Sequence, residues 1–138
     1  MVYDSPHLLL LLEGFERRLG REVAQRMRDT GILRGSEGRI LGLIEPEGTR
    51  PTSLAEGSWI TKQAIGKRVR ELEERGLVET RPDPDDGRAV RVHRTEAGER
   101  ALVRTVVTVG GLERDLEREV GSDRYQTFLE VMDEIGRG

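Results

Sequence analysis

Apolar positions recur at helical spacing over most of this chain and at a spacing of two over one short stretch. Leu8 to Leu12 is an unbroken leucine run, and Phe15, Leu19, Val23 and Met27 extend one stripe from it in steps of four. This predicts a long first helix, opened by Ser5-Pro6 and closed at Gly31. Leucine on every side for more than a turn has to be covered all round. That points to burial against a second subunit, with burial inside the monomer as the alternative. Gly35-Ser36 opens a second helix with Ile40, Leu41 and Ile44 on its apolar side, ended by Glu45 to Gly48. Thr52 to Glu56 starts a short third helix, Gly57-Ser58 is read as a turn, and Trp59 and Ile60 are expected beneath it as core. In the fourth helix Ile65, Val69 and Leu72 fall at i, i+4 and i+7. Thr61 is its N-cap and Gly76 its end.

The period then changes. Leu77 to Thr80 and Ala89 to Arg94 are β-prone, and in the second run Val90 and Val92 alternate with Arg91 and His93. Asp85, Asp86 and Gly87 between them are turn residues, which puts Arg88 near the tip of a hairpin. Asp86 lies two residues away, placed to hold the Arg88 guanidinium outward. Thr95 caps the next helix, with Leu102, Val106, Val109, Leu112, Leu116 and Val120 as an irregular stripe. The β-branched run Val103 to Val109 alone could favour a strand, but length and the flanking stripe favour a helix, bent at Gly110-Gly111. Ser122 or Asp123 caps a last helix with Tyr125, Phe128, Leu129, Met132 and Ile135 on one face. The fold class is mainly α with a small β wing: a winged helix-turn-helix with dimerisation helices at both ends.

The polar face of the fourth helix changes the picture from fold to function. Gln63, Lys67 and Arg70 lie opposite the apolar stripe, flanked by Lys62 and Gly66. The face is rich in donors and free of bulky apolar groups. A glycine on an exposed helix face costs ~1 kcal/mol against alanine, and close approach to a DNA groove is one return for that cost. The plain alternative is a solvated basic face. A capped basic helix followed at once by a basic hairpin favours the groove. The net charge of −3 argues against nucleic acid only until it is divided. Residues 61–75 hold five cations against three carboxylates, residues 76–94 balance, and the acidity lies elsewhere. Both lysines of the chain, Lys62 and Lys67, are on this one helix, and local field outweighs the sum.

At these residues the sequence resembles the MarR family of bacterial transcriptional regulators. The matching stretches are Thr61-Lys62-Gln63-Ala64, Glu71 to Val78, the wing Asp83-Pro84-Asp85-Asp86-Gly87-Arg88, and Thr95-Glu96-Ala97-Gly98. The resemblance implies a single domain over residues 1–138. Residues 31–98 form its DNA-binding core, and residues 1–30 and 99–138 its dimerisation helices. It also implies that Arg88, braced by Asp86, enters a minor groove, and that a small aromatic effector binds between the dimer helices and the winged domain.

Other chemistries find no support. The chain has no cysteine, which rules out disulfides, thiol redox sensing and thiolate metal sites. His7 and His93 are far apart, without ligand spacing, so no metal is expected. Gly57 to Lys67 is only loosely like a phosphate loop, and Arg68 stands where Ser or Thr belongs. The acidic run Glu113 to Glu119 alternates with arginine and reads as a solvated ion-pair face. The leucine run is far too short to span a membrane and lacks the flanks of a secretory signal.

The expectation is therefore a cytoplasmic homodimer that is not an enzyme and carries no cofactor. It binds double-stranded DNA through Thr61, Lys62, Gln63, Gly66, Lys67, Arg70 and Arg88, with Asp86 as wing support and repression as the expected mode. Leu8, Leu9, Leu12, Phe15, Phe128, Leu129 and Met132 form the dimer surface. A second reading is a winged-helix protein–protein module without DNA binding, favoured by the net acidity and by Glu71, Glu73 and Glu74.

Overall fold

The computed structural model describes residues 7–26, 33 and 35–138. The expected helix start at Ser5-Pro6 and the end of the first stripe, from Met27 to Gly31, lie outside the described residues. The elements run α1 (Leu8–Arg26), α2 (Gly35–Leu43), α3 (Pro51–Ser58), α4 (Lys62–Glu74), β1 (Val78–Pro82), β2 (Val90–Arg94), α5 (Glu96–Val120) and α6 (Ser122–Gly136). The chain divides into two compact units: residues 30–106, and residues 1–29 together with 107–138.

The first unit holds α2 to β2 and the start of α5. Its core joins Ile40, Leu41 and Ile44 to Leu54, to the α4 stripe of Ile65, Val69 and Leu72, and to Val78, Val92 and Ala101. The strands pair antiparallel from Val78↔Arg94 to Pro82↔Val90. Thr49 adds a third, one-residue edge: its amide donates to the Val92 carbonyl at 3.0 Å, and the Val92 amide returns the bond at 2.8 Å. Val92 is fully buried but Val90 is 43% exposed, so the expected alternation holds for only one of the two valines. Val90 lies on the outer part of the wing, past the reach of the core. Beyond β2 the Thr95 hydroxyl caps α5 by accepting from the Gly98 amide at 3.0 Å. A side chain at Gly98 would meet the Leu77 carbonyl, which ties the Thr95 to Gly98 motif to close packing.

The turn between α3 and α4 differs from the sequence expectation. Gly57 and Ser58 are helical, with Pro51 in the first turn, and the turn comes at Trp59. Gly57 is there for contact, since an added Cβ would come within 2.9 Å of Leu43 Cδ1. Trp59 takes the left-handed conformation at φ 58°, and its side chain is 72% exposed. It is not core. Ile60, whose amide reaches back to the Ala55 carbonyl at 3.2 Å, packs against the core instead.

The second unit contains α1, the later part of α5, and α6. Phe15 meets Phe128 edge-to-face with ring centroids 5.6 Å apart. Arg18 pairs with Glu119, and Arg26 with Asp115 at 2.5 Å. The acidic run on α5 is thus partly a tether for α1 and not only a solvated face. The β-branched run is helical, and α5 continues through Gly110 and Gly111 without interruption. Neither Ser122 nor Asp123 caps α6. Gly121 is the N-cap, at φ 92° with no side-chain bond. It also receives α5: its amide donates to the Glu117 carbonyl at 2.8 Å and its carbonyl accepts from Tyr125 at 3.0 Å. One residue serves both helices, and only glycine takes that φ without a side-chain penalty.

Candidate nucleic-acid interface

The α4 helix begins where Thr61 Oγ1 accepts from the Ala64 amide at 3.2 Å and closes before Gly76, at φ 72°. Ile65, Val69 and Leu72 are buried, which fixes the rotation of the helix and turns Lys62, Gln63, Lys67 and Arg70 outward, where all four are exposed. Gly66 lies among them. A Cβ there would meet only the Arg70 guanidinium, at 3.5 Å, which is ordinary contact. The glycine therefore answers no crowding within the chain. Gly66→Ala should raise the melting free energy by up to ~1 kcal/mol, and should weaken operator binding if the added methyl meets the groove. Calorimetry and a binding titration check this together. Higher stability at unchanged affinity would mean that Gly66 faces only water.

The three acids of α4 do not form a free acidic face. Glu73 accepts from the Thr80 amide at 3.1 Å and the Thr80 hydroxyl at 3.0 Å, joining α4 to β1. Glu71 pairs along the helix with Arg68 at 3.2 Å. Arg75, in the closing turn, reaches Glu37 of α2 at 2.9 Å. What remains outward on the leading half of α4 is cationic or amide-bearing.

The wing is held from its base. Asp83 is buried; its Oδ2 accepts from Arg50 Nε at 2.7 Å and lies 3.2 Å from Arg91 Nε. Its Oδ1 accepts from the Asp85 amide at 2.9 Å. That backbone bond and the two arginines hold the Asp83 carboxyl down at about 2, against the opposing effect of burial. Arg50 immediately precedes α3, so this cluster ties the wing to the helix-turn-helix. In the sequence Asp83 stands only as part of the wing motif, with no role of its own. Its signal was an acid directly after a strand ending in proline, with an arginine across the hairpin.

At the tip Arg88 is exposed. Asp86 supports it differently from the expected brace. Its Oδ1 accepts from the Arg88 backbone amide at 3.0 Å, so the carboxylate shapes the turn and leaves the guanidinium to solvent. An Asx turn of this kind satisfies a donor that no ladder bond reaches.

The chain matches the MarR family model over residues 30–89, the stretch that carries this helix, β1 and the wing tip. Over that stretch the chain is similar to the MarR family. A putative transcriptional regulatory protein for the hcr operon of Thauera aromatica is 26% identical over 130 residues, 90% of this chain and 78% of that protein. Among solved structures, the transcriptional repressor CouR bound to a 23-mer DNA duplex superposes with a TM-score of 0.79 at 22% identity, over 94% of this chain and 92% of that one. CouR from Rhodococcus jostii RHA1 bound to p-coumaroyl-CoA gives 0.69 at 25% identity, over 91% and 89%. The resemblance read from the helix and the wing tip is thus met by an independent family match, which stops short of the α5 cap. The mainly helical fold with a two-stranded wing is that of its structural relatives. None of the described helices is long and apolar enough to cross a membrane.

Proposed function

We propose that this protein is a MarR-family regulator that binds a near-palindromic operator as a homodimer, with α4 in the major groove and the wing at the minor groove, acting as a cytoplasmic repressor and not as an enzyme. The observation that carries this reading is the outward face of Lys62, Gln63, Lys67 and Arg70 beside an exposed Arg88, held in one unit by the Asp83 cluster. In this reading residues 31–98 are the DNA-binding core and residues 1–30 and 99–138 serve dimerisation, while the compact unit that holds the core runs on to residue 106. The protein–protein reading loses ground because Glu71 and Glu73, two of the three acids that favoured it, are engaged within the chain.

The dimer is supported by apolar surface with nothing over it. Leu8 to Leu12 are 43–74% exposed, and Phe128, Leu129 and Met132 are 38–48% exposed. An interface of well over ~2,000 Å² is what an obligate dimer buries. Sedimentation at low micromolar concentration is expected to show twice the 15.6 kDa chain mass. The species should shift intergenic DNA flanking its gene in a gel, with affinity falling steeply as salt rises. A monomer, or a shift indifferent to salt, contradicts the reading. A small aromatic effector fits it as well, given the p-coumaroyl-CoA complex of CouR. Peroxide is not expected to release the protein, since no cysteine is present.

A further inference from the structure

We propose that Trp59, with Arg39 beneath it, clamps the sugar-phosphate backbone of the DNA at the leading edge of α4, an inference that rests on the DNA-binding reading above. Three observations converge on it. Trp59 occupies a left-handed position, φ 58°, at the close of α3. Its amide and that of Ile60 both return to the Ala55 carbonyl, the helix-ending arrangement in which glycine is the ordinary residue. A bulky side chain in that region is strained. Burial does not offset the strain, because the indole is 72% exposed. Such an outlier points to use outside the folded chain.

The second observation is how the indole is held. The Arg39 guanidinium lies 5.0 Å from the ring centroid, and Arg39 Nε donates to the Gly57 carbonyl at 2.8 Å. The cation is thus anchored to α3 and set against the ring face, which fixes the side chain in place. The third is location. Trp59 precedes the Thr61 cap and Lys62 by two and three residues, so the clamp borders the face assigned to the groove. An indole offers an N–H donor and an apolar plane. Together with the Arg39 charge, that suits a phosphate oxygen and the adjoining deoxyribose. Contacts of this class position a protein on the duplex without reading sequence.

Trp59 is the one tryptophan of the chain, so its emission reports this site alone. The full-length protein would be titrated with a fluorescein-labelled duplex of the flanking intergenic DNA, following anisotropy and acrylamide quenching of Trp59 together. Binding should shield Trp59 from the quencher. Trp59→Phe, which keeps an aromatic ring but loses the donor, should weaken binding about tenfold, the loss of a hydrogen bond to a charged group. The loss should be equal across single-base operator mutants. Trp59→Gly should weaken binding at least as much while raising the melting temperature. Arg39→Gln should lower the salt slope by about one per subunit. Binding with unchanged Trp59 quenching, or full affinity in both Trp59 variants, overturns the clamp and leaves the DNA reading standing. No anisotropy change with wild type overturns the DNA reading, and the clamp with it.

Discussion

Arg70→Ala should lose ~1–3 kcal/mol of binding for each base that Arg70 contacts, twice over in a dimer, with preference relaxed at one position in each half-site. Arg70 is exposed on the outward face of α4, and Gly66, one turn earlier, leaves the groove side of that turn bare. Arginine in a major groove pairs bidentately with guanine O6 and N7, so its removal takes away both energy and discrimination. Arg88→Ala provides the contrast. A wing-tip arginine in the minor groove responds to width and potential more than to base identity. Its loss should weaken binding and lower the salt slope while the major-groove bases remain discriminated. Both variants would be measured against single-base operator mutants at several salt concentrations. If Arg70→Ala leaves specificity intact, or Arg88→Ala erases it at the outer bases, the assignment of helix to reading and wing to positioning is wrong.

Asp83→Asn should act on the scaffold with an effect of similar rank. The carboxylate faces Arg50 and Arg91 and accepts the Asp85 amide. Asp83 is buried, but Arg50 is 45% exposed and Arg91 partly so, so solvent offsets part of the charge that removing the carboxylate leaves uncompensated. A fall in melting temperature of roughly 5 °C is expected, with wing amides exchanging faster. The pH dependence has a definite sign. The folded-state value of about 2 lies below the ordinary 3.8, so the stabilisation is fully present above the ordinary value. It is lost as pH falls from there through about 2. The wild type should lose stability over that window and Asp83→Asn should lose less. Parallel acid profiles for the two proteins would remove Asp83 from this role.

Much of this was legible because it is periodic or capped. The α4 stripe of Ile65, Val69 and Leu72, the Thr61 and Thr95 caps and the Gly76 stop all follow from local rules, and each reappears in the structure. The outward set on α4 followed from the same period. What was not legible depended on tertiary contact. Gly57 was read as a turn because glycine favours turns, yet it is packed under Leu43. Trp59 was read as core because tryptophan is apolar, yet it stands in the left-handed position and is exposed. Asp86 was matched to the Arg88 guanidinium by proximity in sequence, whereas its geometry serves the backbone amide. Asp83 acquired its importance only when the fold brought Arg50 to it across 33 residues.

If two copies of α4 read two major-groove half-sites, methylation protection of guanine N7 on the flanking intergenic DNA will report both. Protected guanines are expected in two patches related by two-fold symmetry, centred about 34–36 Å apart or a multiple of that. Protection should be lost at one guanine of each patch with Arg70→Ala. A gel shift without major-groove protection, or a single unpaired patch, would contradict reading by two copies of α4.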